Sequence, residues 1–97
     1  MIVVHLYEAS VQSCVRMNNI LEELAEDKFK HVKFLRYDGT TNDLGLDRMT
    51  LPILMVYRDG EPLEVLAGLE QELGSRFTAA DVEWLLESHF QSLGVNY

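Results

Sequence analysis

The stretch Ile2–Ala25, IVVHLYEASVQSCVRMNNILEELA, is the strongest constraint on how this chain folds. Ile2–Tyr7 is nearly continuous in apolar residues, the pattern of a strand covered on both faces inside a sheet. The short segment Ala9–Ser13 follows, with Ser10 and Ser13 as candidate helix caps. From about Cys14 to Asp27 the apolar residues then take a helical period. Cys14, Met17, Leu21 and Leu24 stand at i, i+3, i+7 and i+10, with Ile20 beside them. Glu22, Glu23, Glu26 and Lys28 take the wet side. A strand feeding directly into an amphipathic helix requires a sheet for that helix to cover. It also predicts a second, parallel strand beyond a right-handed crossover.

That second strand is His31–Asp38, with Val32, Phe34 and Arg36 on one face and Lys33, Leu35 and Tyr37 on the other. Gly39–Thr50 is polar and broken by two glycines, with room for one helical turn around Asp43–Leu46. Leu51–Tyr57 is a third strand opened by Pro52. Asp59-Gly60 between two apolar runs is a tight-hairpin signal, because such a turn needs positive φ. The fourth strand runs from about Leu63 to Ala67, and Pro62, with no N–H to donate, suits an edge. Gly68 ends that strand, and Leu69–Phe77 is a connection. Thr78 caps a last helix with Asp81 near its positive end. Val82, Leu85, Leu86 and His89 form the inner stripe of that helix, continued by Leu93. Trp84 lies roughly 200° from Val82 on the wheel and points away. Val95–Tyr97 are expected to fray. The order β-α-β-(loop)-β-β-α fits a four-stranded mixed sheet with its first strand central.

The totals narrow the function. Ninety-seven residues make one domain with one modest core. A net charge of −8 repels nucleic acid and anionic membrane and suits a basic protein surface. The apolar runs are strand-sized, short of the ~20 residues that span a bilayer, and no signal-like segment opens the chain. One cysteine excludes an internal disulfide and a cysteine-rich metal site, and fits a reducing compartment, the cytoplasm. His5, His31 and His89 are scattered, and His5, inside an apolar strand, reads as a hydrogen-bonded core residue. No P-loop, G-x-S-x-G or zinc spacing is present, and no cofactor is implied.

Thiol–disulfide enzymes place reactive cysteines at a strand-to-helix junction like this one. The element order is that of a minimal thioredoxin fold, and the chain resembles it at particular positions. Against the thioredoxin cysteine pair, Cys14 takes the second place and Val11 takes that of the nucleophile. Pro52 in TLPI matches the cis-proline beside the thioredoxin site. More narrowly, the chain resembles the thioredoxin-like domain of the phosducin and phosducin-like family. VVHLYE, the single cysteine with MNNILEELA, DRMTLPILMVYRDGE and QELGSRFTAADVEWLL carry this, over about Ile2–Leu86. It departs in the short loop Gly39–Asp47 and at Trp84, where a small residue is expected.

The resemblance implies a non-catalytic binding domain whose partner is the G-protein βγ dimer, with the cytosolic chaperonin as a further partner in βγ assembly. It also implies a longer protein with an N-terminal helical region. Val11, Cys14 and Pro52 become vestiges of a redox site. Candidate contacts lie on the loop before the third strand (Asp43, Asp47, Arg48), on the connection (Glu70, Glu72, Arg76), and on the last helix (Trp84, Glu87). Asp47 and Arg48 are adjacent and could pair. Two alternatives stand beside this reading: a single-thiol oxidoreductase using Cys14, and a co-chaperone for another client such as tubulin or actin. The resemblance to minimal thioredoxin folds adds an expectation: both long helices should share one face, leaving the other thinly covered and open to a contact.

Overall fold

The computed structural model describes residues 1–40, 44–95 and 97. Four strands form one mixed sheet: β1 (Ile2–Tyr7), β2 (Lys33–Asp38), β3 (Ile53–Arg58) and β4 (Glu61–Leu66), in the order β2-β1-β3-β4. β1 runs parallel to β2 and antiparallel to β3, and β4 is antiparallel to β3. β1 is therefore interior. Helix α1 (Gln12–Asp27) makes the crossover between the two parallel strands.

The first helix begins two residues before Cys14. The Val11 N–H bonds the Glu8 carbonyl at 3.0 Å and turns the chain early, so Val11 is the N-cap. Neither Ser10 nor Ser13 caps it. Ser13 lies inside the first turn, buried, where its hydroxyl cannot reach back to the cap position. The last helix, α3 (Ala79–Leu93), has the expected start. The Asp81 N–H donates to the Thr78 hydroxyl and the Thr78 N–H donates to the Asp81 carboxylate at 2.9 Å, a reciprocal capping box. Asp59 and Gly60 close the hairpin with φ of 53° and 80°, both left-handed as such a turn requires.

Four further expectations change. The connection after Gly68 contains a short helix, α2 (Leu69–Leu73), which buries Leu69. The helical turn expected around Asp43–Leu46 is absent at Leu44–Leu46. A 3₁₀ turn forms instead at Arg48–Thr50, where the Asp47 carboxylate caps the Met49 N–H at 2.9 Å. On α3 the inner stripe ends in Phe90, fully buried, whereas His89 is half-buried and reaches Glu64 of β4. The C-terminus does not fray at Tyr97. Its ring packs edge-on to Phe29 at 5.8 Å and beside Phe90, and its hydroxyl accepts a bond from Gln91.

Register then assigns the two faces. Val3 pairs Val56 and Phe34, and His5 pairs Leu54 and Arg36, all toward α1 and α3. There they meet Met17, Leu21, Leu24, Val82, Leu86 and Phe90 in the main core. The opposite face carries Ile2, Val4 and Leu6 of β1, Leu35 and Tyr37 of β2, Ile53, Met55 and Tyr57 of β3, and Val65 of β4. Among the described residues of the segment before β3, Leu46 covers one end of it. Leu46 seats against Gly39, where a β-carbon would overlap it, and joins Leu6, Met55 and Val11 around Cys14, Leu51 and Ile53. Leu35 stays 43% exposed and Val65 61%.

Candidate functional site

The strand-to-helix junction is built from three segments. The end of β1 delivers Leu6 and Tyr7, the first turn of α1 delivers Val11 and Cys14, and the chain before β3 delivers Leu51 and Pro52. The Leu51–Pro52 peptide is cis, as the resemblance to thioredoxins implies. Cys14 is fully buried and packs with Leu51 and Ile53, with Val11 against the same cluster. The structure therefore does bring Val11 and Cys14 together next to the proline.

The electrostatics do not favour a thiolate. Burial pushes the Cys14 thiol up from its ordinary range. A backbone hydrogen bond at Glu8 works the other way, the carboxylates of Glu8 and Glu70 raise it further, and Arg48 opposes them. Val11 presents methyl groups where an attacking sulfur would stand. The thiol has no neighbouring cysteine to release a mixed disulfide. The arrangement can pin α1 to the central strand; it lacks the parts for disulfide exchange.

His5 shows how the helix is locked to the sheet. Its ring is fully buried, and Nδ1 lies 2.7 Å from Oδ1 of Asn18 on α1. Burial lowers its pKa to about 4 against the Asn18 bond, with Arg36 adding to the lowering. The core-histidine reading holds. Sequence reasoning missed Asn18 as its partner, although a polar residue beside Met17 on the inner side of the helix is the available signal. The pair forms the floor of a cleft of about 340 Å³ between α1 and β2, bordered by Glu22, Phe34 and Arg36.

The remaining candidates fall into two groups. Arg48 and Glu70 both act on Cys14, so they surround the junction's rim, with Asp47 beside them capping the 3₁₀ turn. Asp47 spends its carboxylate on that cap, and no Asp47–Arg48 ion pair forms among the described residues. Glu72 lies exposed in the first turn of α2, and Arg76 is exposed after it. Trp84, 67% exposed, and Glu87 are one turn apart on the outer side of α3 and belong to a separate surface. Asp43 lies outside the described residues. Arg16 carries no sequence signal; its guanidinium stacks 5.8 Å from the Phe77 ring centroid and ties α1 to the start of α3. Among the described residues no three His, Cys, Asp or Glu side chains converge to hold a metal, and no helix is long and apolar enough to cross a membrane.

The phosducin family model matches residues 1–94. The chain belongs to the phosducin family. It is 33% identical over 88 residues to phosducin-like protein 1 of Dictyostelium discoideum, covering 91% of this chain and 28% of that protein. It is 34% identical over 91 residues to phosducin of Bos taurus, covering 91% and 36%. It is 35% identical over 85 residues to phosducin-like protein 3 of Danio rerio, covering 88% and 35%. The chain thus spans about a third of the length of the curated relatives it matches. Among solved structures, a mutant thioredoxin of Halobacterium salinarum superposes with a TM-score of 0.60 at 21% identity, over 90% of this chain and 72% of that one. That likeness is one of fold, and it makes the sheet thioredoxin-like.

Proposed function

We propose that this phosducin-family domain is a non-catalytic, cytoplasmic binding module for the G-protein βγ dimer, regulating G-protein signalling or assisting βγ assembly with the cytosolic chaperonin. The observation that carries the reading is the family match along residues 1–94. The junction supports the non-catalytic part: Val11 holds the nucleophile's place, and burial keeps Cys14 as a thiol. The contacts to test are Asp47 and Arg48 before β3, Glu70, Glu72 and Arg76 around α2, and Trp84 and Glu87 on α3.

A second client class has an observation in its favour. Phosducin-like protein 3 of Danio rerio is as similar to this chain as phosducin of Bos taurus. Identity therefore does not separate the branches of the family, and a co-chaperone for another client, such as tubulin or actin, is the competing proposal. One pulldown with βγ, chaperonin, tubulin and actin side by side separates them. Retention of βγ is the expected result; retention of tubulin or actin without βγ would replace the proposal. The oxidoreductase alternative is tested separately, by the rate at which Cys14 labels in the folded state near pH 7. Slow labelling, rising on unfolding, is expected.

A further inference from the structure

We propose that the outward face of α3 is a docking surface for a cationic segment of a partner protein, with the Trp84 indole as anchor and Glu83 and Glu87 as counter-charges. Trp84 and Glu87 are among the contacts named above; this proposal adds the chemistry of their occupant and does not rest on βγ as the partner.

The geometry begins with the platform. α3 is fixed on its inner side by Val82, Leu85, Leu86 and Phe90, all buried, and at its start by the capping box. A side chain on its outer side is therefore held in place at little further cost in ordering. Trp84 stands there 67% exposed. Its neighbours four residues away on each side are Ala80 and Ser88, too small to cover a ring, and those three away are Asp81, engaged in the capping box, and Glu87. The Ser88 hydroxyl is turned to the Trp84 carbonyl at 2.8 Å, away from the indole. Among the described residues the indole makes no ring contact, cation contact or hydrogen bond. An amphipathic ring left open on a rigid helix is the usual form of an interface anchor.

Charge chooses the occupant. Glu87 lies one turn after Trp84 and Glu83 immediately before it, and α3 contains no lysine or arginine. From Gly60 to the end of the chain, Arg76 is the only such residue. The negative face of an indole attracts a guanidinium or ammonium group, and flanking carboxylates add charge-assisted hydrogen bonds to the same cation. The same field repels nucleic acid and anionic lipid. An arginine-bearing protein segment is the chemistry that fits all three side chains together.

The chain has a single tryptophan, so one indole N–H resonance reports on the site. The test is an NMR titration of the whole chain with hexa-arginine, and with hexa-glutamate as control. A saturable shift of the indole resonance is expected with hexa-arginine alone. W84A should weaken binding about fivefold or more, read at the backbone amides of Glu83 and Glu87, with an unchanged unfolding midpoint. The double variant E83Q/E87Q should weaken it at least threefold, whereas E22Q/E23Q on α1, with the same change in net charge, should leave it within twofold. An indole resonance that does not move would overturn the proposal. So would equal losses in the two double variants, since attraction would then belong to the acidic chain as a whole.

Discussion

The two faces of the sheet are made by the same strands and have opposite fates. On one, Val3, Leu54 and Val56 are fully buried under α1 and α3. On the other, Leu35 and Tyr37 stay 43% and 45% exposed and Val65 61%. Both faces are apolar. Alternation along a strand sets only which residues share a face; whether that face is dry depends on what the rest of the chain lays across it. Here both long helices go to one side: the right-handed crossover sets α1 there, and α3 packs beside it in the shared core. Among the described residues of the segment before β3, Leu46 reaches the other side, at one end. The open face is also nearly free of charge, with Lys33 alone among its strand positions, in a chain of net charge −8.

The largest expected effect breaks the comparison directly. Leu54→Ala removes a fully buried side chain from the covered face and should cost about 2–5 kcal/mol in urea unfolding. Its strand neighbour Met55 faces the other way and is only partly buried. Met55→Ala should cost less than half as much. Equal losses would mean that the second face is packed after all.

His5 gives the covered face a pH dependence. Its pKa falls from 6.5 to about 4 on folding, chiefly by burial. Above pH 6.5 the ring is neutral in both states and nothing is lost. As pH falls from 6.5 toward 4 the unfolded chain takes up a proton that the folded one refuses, so stability drops, by about 3 kcal/mol in all. Below 4 the loss levels off. His5→Asn should flatten this part of the stability profile, and a profile as steep in the variant as in the parent chain would assign the effect to other groups.

Cys14, at the end where the two faces meet, is expected to behave as a core residue. Cys14→Ser places a hydroxyl in an apolar cluster and should cost about 1–3 kcal/mol, while Cys14→Ala should cost less. Denaturation curves for the pair decide this. A Cys14→Ser chain as stable as Cys14→Ala would mean that the thiol's surroundings are wetter than its burial indicates.

Most of the fold was legible because its signals are local or periodic. The strand–helix opening, the Asp59-Gly60 turn and the Thr78 cap each follow from a few neighbouring residues. Where the reading failed, the cause was a local backbone turn with no side-chain signal, a tertiary contact, or an element too short to show a period. The start of α1 is set by Glu8 bonding Val11, which outcompetes the serine caps. The choice of Phe90 over His89 depends on Phe29 and Tyr97 arriving from elsewhere in the chain. α2 is only five residues long, shorter than any periodic pattern can show. Of the candidate site, Val11 and Cys14 share a cluster with Leu51 and Ile53, the chain neighbours of Pro52. The surface candidates divided into two groups, because Arg48 and Glu70 lie near Cys14 whereas Trp84 and Glu87 stand on the outer side of α3.

The smallest expected effect sharpens the comparison most. Val65→Thr changes one methyl group to a hydroxyl at a position 61% exposed. If the open face is wet in solution, the change should alter stability by no more than about 0.5 kcal/mol. The matching change Val56→Thr, one register position away on β3 and fully buried, strands a hydroxyl in the core and should cost about 1–3 kcal/mol. The pair is isosteric, so volume and strand propensity nearly cancel between the two sites. What remains is the hydration of each face. A cost at Val65 that approaches the cost at Val56 would show that something covers the second face in solution. Repeating the measurement over a range of protein concentrations would then reveal whether the cover is a second copy of the chain, because only that cover tightens as concentration rises.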